Sequence, residues 1–197
     1  MLQFITQPES RFSVAEQCQM VIEGGCRWII LDMPGAEDSA VREVASELIP
    51  LCKENETMLS LSDQPNLAME LGVHGVLLSY DGGHDEEEFR NVFGPEAIIG
   101  VDVKSAQKVL SLKGLDVDYV SLSFRDTSDD EKKEIVRAAM LKEGNVLPVV
   151  FDGDFTIENV QEAILQGASG VSTGKSIMES NDPVDYTRRL LIALKKD

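Results

Sequence analysis

One phrase recurs along this chain: a helical stretch ending in glycine, one or two turn residues, then a short apolar run. It reads Gly24-Gly25-Cys26-Arg27-Trp28-Ile29-Ile30-Leu31, then Gly72-Val73-His74-Gly75-Val76-Leu77-Leu78. It returns as Gly114-Leu115-Asp116-Val117-Asp118-Tyr119-Val120 and as Gly167-Ala168-Ser169-Gly170-Val171-Ser172. Glycine just past a helix accepts the left-handed backbone that ends it, and the apolar run that follows reads as a buried strand. The copies stand roughly 42 to 53 residues apart, too far for one βα unit and suited to two. Four double units give eight strands, so the pattern predicts an α/β fold, a single (βα)8 TIM barrel. A chain of 197 residues without a linker, tail or low-complexity tract fits one domain over residues 1–197.

Local signals place the elements. Strands are expected at Leu2–Thr6, Trp28–Leu31, Met58–Leu61, Gly75–Leu78, Ala97–Val101, Tyr119–Leu122, Leu147–Phe151 and Gly170–Thr173. Ser13-Val14-Ala15-Glu16 has the form of a capping box, and Pro65 opens a short helix. A long helix is expected over Ser39–Asn55, a fourth from the acidic run Asp85-Glu86-Glu87-Glu88, and a last one from Pro183 onward.

The formal charge of -17 excludes nucleic acid and anionic membrane surfaces as partners, because both require basic patches that displace counterions. A solvated acidic surface is the commoner meaning of such a charge, and a site for cations the sharper one. Cys18, Cys26 and Cys52 are odd in number and form no CxxC pair, which points to buried free thiols in a reducing cytoplasm. No signal-peptide pattern opens the chain and no apolar run is long enough to span a membrane. A cytoplasmic location follows as an expectation, and a homo-oligomeric state is left open.

In such a barrel the side chains at the C-terminal ends of the strands ring one mouth, and activity belongs there. In strand order that ring holds Asp32, Ser62, Asp63, Asp81, Asp102, Lys104, Ser123, Arg125, Asp152, Asp154, Thr173 and Lys175. Polar loops above strands are ordinary, so the ring is a candidate site rather than a demonstrated one. Asp63 and Asp81 form the natural pair for Mg2+, which takes few carboxylates and keeps several waters. Gly153-Asp154 and Thr173-Gly174-Lys175 follow strands seven and eight, where barrels often hold phosphate. Lys175 favours an anion there, and Asp154 opposes one if it points inward. Gly174-Lys175-Ser176 resembles the end of a P-loop, but the glycine required five positions earlier is Ser169, so a nucleotide loop is rejected. His74 enters strand four from the wrong end for catalysis, His84 carries no motif, and Trp28 reads as core; a catalytic triad or a Cys/His zinc site is not expected.

Several of these segments together resemble the thiamine phosphate synthase and TenI family of small barrels. They are the run from Asp63-Gln64-Pro65-Asn66 to Gly75-Val76, then Phe93-Gly94-Pro95-Glu96-Ala97-Ile98-Ile99-Gly100-Val101, Pro148-Val149-Val150, Thr156-Ile157-Glu158-Asn159 and Gly167-Ala168-Ser169-Gly170-Val171. The resemblance runs along nearly the whole chain and implies the same barrel. It also implies a transferase that joins a pyrimidine diphosphate to a thiazole phosphate with Mg2+. On that basis Asp63 and Asp81 hold metal, Ser62, Lys104 and Arg125 contact substrate, and Gly153, Asp154, Thr173, Gly174 and Lys175 surround phosphate.

The chain departs from the family pattern at defined places. Where the synthases carry Gln-x-Arg-x-Lys after strand two, it has Ile30, Asp32 and Pro34; Asn-Asp after strand three is Ser62-Asp63. The position of the TenI-type histidine is Lys104, the Thr-x-Thr-Lys loop after strand six is missing, and Gly-Gly after strand seven is Gly153-Asp154. Departing diphosphate develops negative charge that metal and cationic groups stabilise. The exchange of Arg for Asp32 therefore leaves two expectations: a synthase-like enzyme, or a catalytically inactive barrel that binds a phosphorylated small molecule or regulates.

Overall fold

A computed structural model describes residues 1–79, 90–91, 94–112, 117–124, 126–140 and 146–195. Eight parallel strands close into a barrel in sequence order. They are β1 (Leu2–Ile5), β2 (Trp28–Leu31), β3 (Met58–Ser62), β4 (Gly75–Leu78), β5 (Ile98–Asp102), β6 (Tyr119–Ser123), β7 (Val149–Asp152) and β8 (Gly170–Thr173). The helices described around them are α1 (Val14–Glu23), α2 (Asp38–Glu54), α3 (Pro65–Leu71), α4 (Ala106–Ser111), α5 (Asp129–Met140), α6 (Val160–Leu165), α7 (Lys175–Met178) and α8 (Pro183–Ala193). The helix expected from Asp85 lies outside the described residues.

Strands β2, β4 and β8 match the sequence expectation residue for residue. Strand β7 begins at Val149 rather than Leu147, because Pro148 has no N–H for the ladder; its carbonyl still accepts from Val120 N at 3.0 Å. The short α7 was not expected. It forms directly after Gly174, before the helix that opens at Pro183. The capping box at Ser13 is complete, with Glu16 N donating to Ser13 Oγ and Ser13 N to the Glu16 carboxylate.

Alternation along each strand sorts side chains into two cores. Outward residues such as Phe4, Ile29, Leu59, Val76, Val101 and Val171 pack beneath the helices in one continuous cluster. Inward residues Trp28, Ile30, Tyr119 and Val150 fill the barrel, with Ile5, Met58, Leu77 and Ile98 against them. The Trp28 and Tyr119 rings meet edge-on at 5.3 Å, and Trp28 Nε1 donates to Ser60 Oγ at 3.2 Å. Tyr119 lies over Gly100, where a Cβ would overlap its ring. The barrel floor is thus plugged by aromatic rings, and Trp28 is core as expected. The three cysteines are free and buried, and burial pushes the Cys26 thiol up to about 11.

The loop after β1 is held by one side chain. Gln17, fully buried on α1, accepts from Gln7 N at 2.9 Å and donates to the carbonyls of Gln7 (2.8 Å) and Phe12 (2.9 Å). Gln17→Ala strands these backbone groups and should cost about 2 to 4 kcal/mol of unfolding free energy in a urea titration. A loss below 0.5 kcal/mol would mean that water replaces the clamp.

Candidate functional site at the barrel mouth

The inward positions at the C-terminal strand ends surround a cavity of about 190 Å³. Its floor is Ile5, Ile30 and Leu77; its walls carry Asp32, Asp102 and Asp152 with Ser62, Ser79, Ser121 and Ser123. Three carboxyl groups, from the ends of β2, β5 and β7, therefore share one small space with no basic side chain in its described lining.

Electrostatics follow from that crowding. Burial, then the charges of Asp102, Asp32 and Asp154, push the Asp152 carboxyl up to about 7, against a smaller opposing hydrogen bond from Gly153. Burial also raises Asp32 above the ordinary carboxylate range, with the Asp63 charge adding and a hydrogen bond from Ser62 opposing. The backbone of Asp32 is fixed by Thr6, whose buried hydroxyl accepts from Asp32 N at 2.9 Å and donates to Asp32 O at 3.1 Å.

Asp63 stands at the rim in a left-handed conformation, φ +51°, with its N–H on Leu77 O at 2.9 Å. Its Oδ1 accepts from Ser79 N at 2.6 Å and its Oδ2 from the Ser79 hydroxyl. The structure thus brings Asp63 against the end of β4, the strand that leads to Asp81. Asp81 itself and Arg125 lie outside the described residues. Lys104 is exposed beyond the end of β5, and Ser62 lies against Asp32 in the cavity wall.

The phosphate-loop candidates are separated more than the sequence implied. Gly153 N donates to Ser172 O at 3.0 Å, so that amide belongs to the β7–β8 seam. Asp154 is half-buried and its charge acts on Asp152. Thr173 sits on the outward face, its hydroxyl 3.4 Å from that of Ser176, which donates to Phe155 O at 2.6 Å. Gly174 is buried and caps α7, while Lys175 is exposed, 4.0 Å from Glu179. Lys175 lines a second cleft of about 570 Å³ with Gln7, Ser10 and Arg11.

Sequence reasoning placed Asp102 and Asp152 at the mouth without giving them a role, and it passed over Ser121. The available signal was the period of two: Tyr119, Ser121 and Ser123 alternate on β6, so an inward Tyr119 turns both serines inward. His74 is exposed at the opposite end, accepting from Leu59 N at 3.1 Å through Nδ1. Among the described residues, no three His, Cys, Asp or Glu side chains are grouped to hold a metal ion, and no helix is long and apolar enough to cross a membrane.

Comparison with known proteins agrees with the architecture. The family model described as thiamine monophosphate synthase matches residues 2–177. The thiamine-phosphate synthase of Bacteroides thetaiotaomicron is 34% identical over 96% of this chain and 95% of its own length. That of Bacteroides fragilis strain ATCC 25285 is also 34% identical, over 96% and 98%. Among solved structures, a thiamine phosphate pyrophosphorylase from Pyrococcus furiosus superposes with a TM-score of 0.84 at 22% identity, covering 98% of this chain and 95% of that one. A match to the family model over nearly the whole chain, with relatives at this identity, places the chain in the thiamine monophosphate synthase family.

Proposed function

We propose that this chain, acting as a single barrel unit over residues 1–197 in the cytoplasm, joins a pyrimidine diphosphate to a thiazole phosphate. The observation that carries this reading is the end-to-end relation to thiamine-phosphate synthases, 34% identical across 96% of the chain. Asp63 and Asp81 would hold Mg2+, Ser62, Lys104 and Arg125 would contact the diphosphate substrate, and the Gly153-Asp154 and Thr173-Gly174-Lys175 loops would take the thiazole phosphate. Asp63 is presented at the rim by Ser79, which donates to both of its carboxylate oxygens. Bound Mg2+ would supply positive charge to the departing diphosphate.

A second reading is favoured by Asp32, Asp102 and Asp152 around the central cavity. Their charge opposes a developing diphosphate, so the barrel would bind a phosphorylated small molecule without transferring it.

A thermal-unfolding series with Mg2+ plus thiamine phosphate, thiazole phosphate or diphosphate separates the two. A ligand at 100 times its Kd stabilises by about 2.7 kcal/mol, which for a domain of this size raises the midpoint by roughly 5 to 10 °C. A shift accompanied by diphosphate release from the paired substrates supports transfer; a shift without release supports binding alone. No shift with any of the three takes the barrel out of thiamine chemistry, and its ligand is then to be sought elsewhere. Asp63→Ala should abolish the Mg2+ dependence of the shift, and an unchanged dependence takes Asp63 out of the site.

A further inference from the structure

We propose that the barrel interior encloses a bound water, held by Gln3, Tyr119 and Ser172 beneath the floor of the mouth cavity. None of these three residues lines that cavity, so the inference goes beyond both readings above and depends on neither.

Strand register brings the three side chains together. Residues along a strand alternate between its two faces. On β1, Leu2 and Phe4 belong to the outer cluster and Ile5 packs on the inner one, so Gln3 turns inward, two residues below Ile5 in the cavity floor. Ser172 follows the outward Val171 on β8 and is the cross-strand partner of Gln3. Tyr119 belongs to the inner core, and its hydroxyl lies where a Cβ on Gly100 would stand. Burial raises the pKa of that hydroxyl, and the Gln3 side chain beside it opposes the rise.

The hydrogen-bond accounting does not close. Gln3 is 0%, Ser172 1% and Tyr119 2% exposed. Yet Gln3 Nε2, Gln3 Oε1, the Tyr119 hydroxyl and Ser172 Oγ have no hydrogen-bond partner among the described residues. Buried polar atoms are nearly always satisfied, and Trp28 Nε1 in the same interior is, by Ser60 Oγ at 3.2 Å. Four orphaned atoms from three neighbouring side chains point to a shared partner.

Their chemistry selects the partner. The Gln3 amide offers N–H donors and a carbonyl acceptor, and the two hydroxyls do both; none of these groups is charged. A cation would leave the amide N–H groups unused, and an anion would leave the carbonyl unused. Water gives and accepts, and it satisfies buried polar groups with about three hydrogen bonds. Size agrees, because Trp28, Ile30 and Val150 fill the interior around the site and are themselves closed to solvent. In this place the water ties β1 to β8 across the closing seam, and both to β6.

The test is a high-resolution crystal structure of the full chain. A water peak within roughly 2.7 to 3.2 Å of polar atoms on at least two of the three side chains is expected. Direct hydrogen bonds among the three with no peak between them, or an interior without density, would overturn the proposal. Thermal unfolding adds a solution test with Gln3→Met, Tyr119→Phe and the double variant. Each single change strands the water and the groups left around it, so the double variant should lose at least about 2 °C less than the sum of the singles. Strictly additive losses would mean that the two side chains share no partner, and the proposal would fall.

Discussion

Asp152→Asn should raise the unfolding midpoint at pH 8 by roughly 5 to 12 °C, the largest gain expected from any single substitution in this chain. In the folded protein the carboxyl is pushed up to about 7 by burial and by the charges of Asp102, Asp32 and Asp154, against an ordinary aspartate value of 3.8. Between those two values the unfolded chain has released the proton while the folded one keeps it. The native state therefore binds more protons, and stability falls as pH rises through this window, with the loss complete above pH 7. The cost at pH 8 is about 2 to 4 kcal/mol once solvent in the open cavity is allowed for. Asparagine has the shape of the protonated acid and carries no charge to be buried. Calorimetry at two pH values checks the sign as well as the size: at pH 5 the gain should shrink to about a third. An equal gain at both pH values would show that shape, not charge, is responsible.

Gly174→Ala should destabilise the barrel by steric overlap at its closing seam. A Cβ there would overlap the carbonyl oxygen of Ile5 and the Gln7 side-chain amide. The carbonyl belongs to β1, so relief requires the β1–β8 seam to part rather than a rotamer to turn. Overpacking of this kind costs about 1 to 3 kcal/mol or more, a fall of roughly 3 to 10 °C. Gly35→Ala is the informative control. Gly35 has φ +75° with open space around the site, so only backbone strain of about 1 kcal/mol opposes it. If the two variants lose equally, steric contact at the seam is not the cause. The Gly174 variant should also weaken any phosphate bound beside Lys175, because the two residues are adjacent.

The barrel was legible because its signals are local. Glycine stops, apolar runs and the capping box at Ser13 each act within a few residues, and β2, β4 and β8 carry their expected boundaries. The position of the mouth was legible for the same reason, since strand ends are marked by the first polar residues after each run. What those residues face depends on closure. Thr173 and Asp152 both end strands, yet Thr173 turns outward to Ser176 while Asp152 turns into the cavity. The partnership of Asp63 with Ser79 joins strand ends 16 residues apart through a left-handed backbone, which no composition or period announces. The rise in Asp152 comes from burial and from two other strand ends that bring Asp102 and Asp32 to it, with Asp154 adding from its own loop. Of these charges only Asp154 is a neighbour in sequence.

The seam that closes the ring sets an order for folding during synthesis. Strand β1 pairs on one side with β2, but its other side waits for β8, so that Leu2 meets Val171 only when nearly all of the chain exists. At about 5 to 20 residues per second, that side stands unpaired for roughly ten to thirty seconds. An open strand edge is a template for wrong partners. The last strand to leave the ribosome therefore decides whether the first one is safe, and truncations near the C-terminus should yield aggregation rather than a smaller, looser barrel.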